Sequence, residues 1–195
     1  MKTIGITGGV GAGKSAIIDY IAENYNCRII KADNLAHELE MPGNICYIQL
    51  IELLGEDILA NDNTIDKAKM AAKIFADKTL LDKVNGIVHP AVKDYIINAI
   101  SEERANNKID YFFLEAALLI EEGYDAILDE LWYIRADESI RRQRLKASRG
   151  YTDAKIDSIL ASQKSDDEFI SKCKVVIDNS AYLENSYRQI DSYLR

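Results

Sequence analysis

The sequence predicts an α/β protein whose core has three layers, with helices packed on a mostly parallel β-sheet. Short apolar runs rich in β-branched and aromatic residues alternate with longer stretches of helical periodicity, as in strands joined by crossover helices. A glycine-rich segment, residues 8–13, separates the first apolar run from the first helical stretch. Both observations favour a sheet that carries ligand-binding loops at the carboxyl ends of its strands.

Composition limits the class of protein. The 195 residues are 48% hydrophobic and 29% charged, which predicts one domain over 1–195. The net charge of −8 argues against a nucleic-acid partner, because binding to phosphate polymers needs an excess of Lys and Arg. No apolar run reaches the roughly 20 residues of a membrane span, and the cysteines form no C-x-x-C pair. We expect a cytoplasmic protein without a membrane partner, either a monomer or a weak homo-oligomer.

Five runs have the length and composition of buried strands. They are residues 3–7, 27–31, 109–114, 131–134 and 175–177. From about 34 to 107 the strand pattern disappears, which predicts a helical insertion. Turn and breaker residues predict that its helices end at Pro42-Gly43, Gly55, 61–63, Gly86 and Pro90.

Two helical regions follow the fourth and fifth strands. A charged pair of helices is predicted over about 138–163, divided at Gly150. A final helix is predicted over 182–194, where the apolar side chains form one stripe and should pack on the sheet. The stripe consists of Leu183, Tyr187, Ile190 and Leu194.

Residues 8–15, Gly-Gly-Val-Gly-Ala-Gly-Lys-Ser, fill every fixed position of the Walker A phosphate loop. Glycines let the backbone turn its N–H groups toward an anion, Lys14 places an ammonium against the β- and γ-phosphates, and the Ser15 hydroxyl suits Mg²⁺. The following helix points its positive N-terminal end at the same anion. The motif predicts that ATP binds with Mg²⁺. The loop residues expected to contact the nucleotide are Gly9, Val10, Gly11, Ala12, Gly13, Lys14, Ser15 and Ala16.

A P-loop NTPase core with one helical insertion early in the chain and an arginine-bearing one late is typical of small-molecule kinases. The early insertion would bind the substrate that accepts the phosphoryl group. The late one would close as a helical lid, because water competes with the acceptor.

Further motifs follow the phosphate loop in order along the chain. They are Ala32-Asp33 with 35–39, Pro42-Gly43, 57–59, 65–66, 74–75, Val88-His89-Pro90, 114–121, Arg144-Leu145 with Arg149, Gln163 and 177–180. Together these segments resemble the dephospho-coenzyme A kinases from Ile4 to about Ser180. The resemblance implies transfer of the γ-phosphate of ATP to the ribose 3′-hydroxyl of dephospho-CoA, a small-molecule substrate.

The resemblance also implies roles for single residues. Asp33 would orient the attacking hydroxyl as a base, and it follows the second strand at the sheet edge where ligands bind. Arg144 and Arg149 would clamp the transferring phosphoryl group beside Lys14. Glu115 would hold Mg²⁺ through water. The remaining implied contacts are His89, Leu118 and Glu121 with the acceptor, and Asn179 and Ser180 with the adenine.

Each of these roles has a structural alternative. Asp33 could cap a helix from Asn34 to Met41, and His89-Pro90 could start a helix. Glu115 could be a plain strand-end carboxylate, and Asn179 and Ser180 could cap the final helix. The charged stretch holding Arg144 and Arg149 could be a solvated face, and its other cations are expected to be surface charge. Those cations are Arg141, Arg142 and Lys146.

Two further side chains are expected to have no role in the site. Trp132 is predicted to lie in the core, and His37 is predicted to be exposed to solvent.

Four positions depart from the family pattern. Lys31 replaces an acid, Ala117 a proline, Ile159 an arginine and Ala181 a glycine. If the second strand stays extended, Lys31 and Asp33 project to the same side, and the cation would lower the basicity of Asp33. Two other functions therefore stay open. One is a P-loop kinase for another small hydroxyl acceptor, such as a nucleoside or nucleotide, and the other is a non-catalytic nucleotide-binding descendant.

Overall fold

The computed structural model describes residues 1–77 and 79–194. Within these ranges five strands form one sheet, in the order β2-β3-β1-β4-β5. Strand β1 runs parallel to β3 and β4, and β4 runs parallel to β5. All five predicted strands are confirmed, with ends that differ by two residues or fewer. The strands are β1 Lys2–Thr7, β2 Cys27–Lys31, β3 Tyr111–Glu115, β4 Glu130–Arg135 and β5 Val175–Asp178.

Helices make up most of the rest of the chain. They are α1 Lys14–Asn24, α2 Ala32–Leu39, α3 Ile45–Leu54, α4 Lys67–Ala76, α5 Thr79–Asn106, α6 Glu138–Arg149, α7 Asp153–Ala161, α8 Asp166–Lys172 and α9 Leu183–Leu194. None of the helices in the described ranges combines the length and apolar character needed to cross a membrane.

The chain divides into two compact units, and the first comprises Met1–Ile29 and Glu103–Arg195. This unit has a core in which side chains from the sheet pack with those of α1 and α9. Its fully buried members include Ile4, Ile6, Ile17, Ile21, Phe113, Trp132, Ile134, Ile177 and Ile190. Consecutive residues of β1, β3 and β4 are buried, so both faces of the sheet are covered. The prediction that Trp132 is a core residue is confirmed.

The second unit, Ile30–Glu102, is helical. The predicted loss of strand structure here is confirmed: among described residues between α2 and the end of α5, the only extended pairing is an isolated bridge from Leu59 to Ile65. The unit has buried apolar side chains of its own. They include Leu35, Cys46, Leu50, Leu54 and Ile58, with Val84, Val88, Val92 and Ile96 from α5.

The predicted helix breaks at Gly86 and Pro90 are wrong, because α5 runs without interruption for 28 residues. Val84, Val88 and Val92 are buried at four-residue spacing on both sides of the proline. Their packing outweighs the roughly 3 kcal/mol that an interior proline costs a helix. His89-Pro90 therefore does not start a helix, and His89 lies in the middle of α5.

The division of the late helical region at Gly150 is confirmed, since this residue ends α6 in a left-handed conformation. Helix α8 was not predicted from the sequence. Its signal is present in the chain, because Ser165 and Glu168 form a capping box at the start of this helix. In α9, Ser186 is buried and Leu183 is exposed, so the prediction that Leu183 belongs to the packed stripe is wrong.

Candidate active site

The phosphate loop, residues 8–13, joins β1 to α1 as the sequence predicts. Gly13 is the N-cap of α1 and adopts a left-handed conformation with φ 87°. A Cβ atom at this position would collide with the side-chain amide of Asn179, so both the backbone and the packing require glycine. Lys14, Ser15 and Ala16 then form the first turn of α1, and the N-terminal end of a helix favours an anion.

Lys14 and Glu115 lie close together at the carboxyl edge of the sheet. Glu115 ends β3 and pairs in register with Ile6 of β1. The Lys14 Nζ atom lies 3.9 Å from Glu115 Oε1 and donates a 2.7 Å hydrogen bond to the Gly8 carbonyl. The parallel register therefore places the predicted metal-binding carboxylate beside the phosphate-loop lysine.

Hard oxygen ligands are available for Mg²⁺ in this unit. The Ser15 side chain is exposed on the first turn of α1, and Glu115 is half-buried. Among the residues described, no group of three or more His, Cys, Asp or Glu side chains could hold a metal by itself. Because Mg²⁺ is usually held by one or two side chains together with substrate phosphates, Ser15 and Glu115 are suitable ligands for it.

Helix α6 brings Arg144 to the phosphate loop but not Arg149. The Arg144 guanidinium donates to the Ala12 carbonyl at 3.2 Å and to the Asn179 carbonyl at 2.9 Å. Arg149 is the last residue of α6, is exposed, and lies 5.8 Å from the centre of the Tyr151 ring. An arginine clamp formed by both residues stays a prediction.

Arg141 was predicted to be surface charge, and this prediction is wrong. Its side chain is buried, with only 8% of the residue exposed. Its Nε atom donates to the Val10 carbonyl at 3.0 Å, and its Nη2 atom donates to the side-chain oxygen of Gln163. A Cβ atom at Gly9 would collide with this guanidinium. Helical spacing was the sequence signal that could have indicated the burial of Arg141, because Arg141, Arg144 and the buried Leu145 share one face of α6.

Asn179 supports the loop from the other side. It is fully buried, and its side chain donates to the Ala12 carbonyl at 2.8 Å and accepts from the Ser186 hydroxyl at 2.9 Å. The Ser180 hydroxyl accepts a 2.9 Å hydrogen bond from the N–H of Asp137, just before α6. Neither residue caps α9, which begins at Leu183, so that alternative is wrong.

A cleft of about 330 Å³ opens beside Gly8. Two predicted acceptor-binding residues, Leu118 and Glu121, line it. Lys164, which no motif indicated, lies in the same cleft with its Nζ atom 3.5 Å from Glu121 Oε1. The structure therefore brings these predicted residues together with the phosphate loop in one unit.

Asp33 and His89, the other predicted acceptor residues, belong to the second unit. Asp33 is exposed at the second position of α2, and Lys31 occupies the N-cap position. The alternative in which Asp33 caps this helix is therefore wrong. Because β2 ends at Lys31 and Asp33 is already helical, strand alternation does not place the two side chains on the same side. His89 is half-buried in α5.

His37 is exposed, as predicted, and its Nδ1 atom lies 3.9 Å from Glu40 Oε2. Burial raises the pKa of Glu40.

Comparison with known proteins extends these observations. The family model for dephospho-CoA kinase matches residues 2–185. A dephospho-CoA kinase of Geobacter sulfurreducens is 34% identical over 191 residues, covering 98% of this chain and 96% of that protein. The solved structure of TT1252 from Thermus thermophilus has a TM-score of 0.79 at 25% identity, over 99% of this chain and 96% of the other.

A dephospho-CoA kinase from Campylobacter jejuni has the same fold, with a TM-score of 0.72 at 20% identity over 99% of this chain and 96% of the other. These matches extend over nearly the whole sequence and agree with the order of the motifs from Ile4 to Ser180. The chain belongs to the dephospho-CoA kinase family.

Proposed function

We propose that this chain transfers the γ-phosphate of ATP to the ribose 3′-hydroxyl of dephospho-CoA, giving coenzyme A and ADP. The observation that carries the proposal is a complete Walker A loop with Lys14 beside Glu115, in a chain that belongs to this kinase family. Family members named dephospho-CoA kinase align over almost the full length of this sequence.

In phosphoryl transfer the protein mainly positions groups and neutralises charge. The N–H groups of the loop and the first turn of α1 bind phosphate oxygens, and the Lys14 ammonium faces the β- and γ-phosphates. The Arg144 guanidinium adds a second fixed positive charge near Ala12. In this proposal Asn179 and Ser180 border the adenine, and Arg149 joins the clamp when the lid closes.

In this proposal, side chains orient the acceptor for attack on the γ-phosphate. Asp33 accepts a hydrogen bond from the attacking hydroxyl and takes its proton late in the reaction, since a loose transition state demands little from a base. Leu118 and Glu121 contact the acceptor in the cleft beside Gly8. His89 is a further acceptor contact in this proposal, and its support is the family motif Val88-His89-Pro90.

Magnesium is the metal we propose, held by the Ser15 hydroxyl directly and by the Glu115 carboxylate through water. When bound, it neutralises charge on the β- and γ-phosphates. Ser15 lies in the first turn of α1 and Glu115 ends β3, so both come from regular elements that hold their side chains in place.

We also propose a cytoplasmic location. The support is that Cys27, Cys46 and Cys173 are all free thiols, which is typical of proteins in a reducing compartment. Cell fractionation with an antibody to the chain tests this, and recovery of the protein with membranes or in the medium would contradict it.

The test of function measures ADP release with ATP, Mg²⁺ and a panel of acceptors. The panel contains dephospho-CoA, adenosine, a nucleoside monophosphate and shikimate, and the product is identified by mass. We expect turnover with dephospho-CoA and a product heavier by one phosphoryl group. Turnover of another acceptor alone would show a different kinase, and ATP binding without any turnover would show a non-catalytic protein.

Lys14→Ala is the variant that should lose activity in this assay. Removal of the ammonium should lower turnover by at least about 100-fold, because a preorganised charge at the transferring phosphate contributes several kcal/mol. Lys155→Ala, which changes an exposed lysine of α7, is the control and should leave turnover unchanged. Equal turnover of the Lys14 variant and the parent would contradict the assignment of the loop.

A further inference from the structure

The loop carbonyls of Val10 and Ala12 both accept hydrogen bonds from arginines of α6. Arg141 donates to Val10 at 3.0 Å, and Arg144 donates to Ala12 at 3.2 Å. The arginines are three positions apart on the helix, so they lie on one face. Arg141 therefore holds the Val10–Gly11 peptide group, and Arg144 holds the Ala12–Gly13 peptide group.

A trans peptide group is planar, and its C=O and N–H bonds point in opposite directions. The Val10 carbonyl belongs to the same peptide group as the Gly11 N–H. When Arg141 draws that carbonyl toward α6, the Gly11 N–H must point away from α6. By the same geometry, Arg144 and Asn179 orient the Gly13 N–H through the Ala12 carbonyl.

Within the described residues, only some of the backbone N–H groups of this loop have a hydrogen-bond acceptor. The Val10 N–H donates to the side-chain oxygen of Gln163 at 3.3 Å, and the Ala12 N–H donates to the Gly9 carbonyl at 3.1 Å. Within the part of the chain that the structure describes, Gly11 and Gly13 have no acceptor for their N–H groups. These are the two donors that the arginines orient, and unpaired, convergent N–H groups are what an anion nest offers.

Arg141 also carries a buried positive charge without a carboxylate partner in the described part of the chain. It is buried, yet its acceptors are the neutral Val10 carbonyl and Gln163 amide. No carboxylate in the described ranges forms an ion pair with it, whereas the adjacent Arg142 pairs with Glu138 and Asp157. Burying an unpaired charge is costly, so a buried guanidinium beside Gly9 and Val10 favours an anion in the loop.

We propose that Arg141 is a positioning residue for ATP: it fixes the Val10–Gly11 peptide so that the Gly11 N–H faces the triphosphate. Gln163 assists by holding the guanidinium and the Val10 N–H with one oxygen atom. The inference rests on ATP being the ligand of the loop, as in the proposed function, but it does not depend on which acceptor is used.

The experiment compares Arg141→Ala with the parent and with Arg142→Ala as the matched control. ATP affinity is measured by calorimetry without acceptor, and the amide shift of Gly11 on addition of ADP is measured by NMR. We expect Arg141→Ala to bind ATP about 10-fold more weakly, the loss of about one hydrogen bond to a charged group. The Gly11 shift should shrink, the KM for ATP should rise, and the KM for the acceptor should stay constant.

Unchanged ATP affinity in folded Arg141→Ala, even with a lower melting temperature, would overturn the proposal, since Arg141 would then act on stability alone. If Arg141→Ala does not fold, Arg141→Lys takes its place. Lysine keeps the charge but loses the planar fork, so affinity should fall several-fold, and parental affinity with a parental Gly11 shift would overturn the proposal. Failure of the parent to phosphorylate dephospho-CoA would instead contradict the proposed function and leave this inference intact.

Discussion

Asn179 links the end of β5 to the phosphate loop, and its removal should weaken both the fold and nucleotide binding. The side chain is fully buried and makes two hydrogen bonds, one to the Ala12 carbonyl at 2.8 Å and one from the Ser186 hydroxyl at 2.9 Å. Asn179→Ala removes both bonds and leaves a small cavity beside Gly13.

Each lost buried hydrogen bond costs about 1 kcal/mol net, so the free energy of unfolding should fall by about 2 kcal/mol. For a chain of this length, 1 kcal/mol lowers the melting temperature by about 2–4 °C. The expected decrease is therefore about 4–8 °C. ATP affinity should also fall a few-fold, because the Ala12 carbonyl keeps only the Arg144 donor and the loop loses part of its support.

Thermal unfolding followed by circular dichroism, with calorimetric titration of ATP, measures both effects. Asn24→Ala is the matched control, because Asn24 also donates to a backbone carbonyl, that of Tyr20, but is exposed. We expect the control to differ from the parent by less than about 0.5 kcal/mol. A melting temperature of Asn179→Ala equal to that of the parent would refute the reasoning from burial and hydrogen bonding.

Three further predictions follow from other contacts. Gly9→Ala should weaken ATP binding about 10-fold, because the new Cβ collides with the Arg141 guanidinium; parental affinity would contradict this close packing. Pro90→Ala should raise the free energy of unfolding by about 1–3 kcal/mol, since it restores a helical N–H within α5, and an unchanged melting temperature would contradict it. Burial raises the pKa of Glu130, but hydrogen bonds from Lys174 and Lys2 outweigh burial and lower it from 4.5 to about 2. Because this pKa is below its unfolded value, the stabilisation of about 3 kcal/mol is complete above pH 4.5 and is lost as the pH falls toward 2. Glu130→Gln should therefore flatten the dependence of the unfolding free energy on pH between 4.5 and 2. An unaltered dependence would contradict the role given to the hydrogen bonds from Lys2 and Lys174.

The strand positions, the phosphate loop and the turn at Gly150 were predictable because their causes are local. A buried parallel strand needs a continuous apolar run, and a loop that wraps phosphate needs glycine at fixed positions. Motif order was also sufficient to predict the family. The error at Pro90 shows the limit of local signals, because burial of Val84, Val88 and Val92 along α5 outweighs the local preference of proline.

The environment of single charged and polar side chains was decided by contacts between residues far apart in the chain. Arg141 and Val10 are 131 positions apart, and Asn179 and Ala12 are 167 apart. Helical spacing places Arg141 and Arg144 on one face, but only the tertiary structure shows that this face packs on the phosphate loop. By itself, therefore, the sequence determined the elements, the motif and the family, since these depend on backbone preference and apolar periodicity. The tertiary structure decided which arginines are buried and which peptide groups they hold, because burial and hydrogen bonding depend on packing between distant segments.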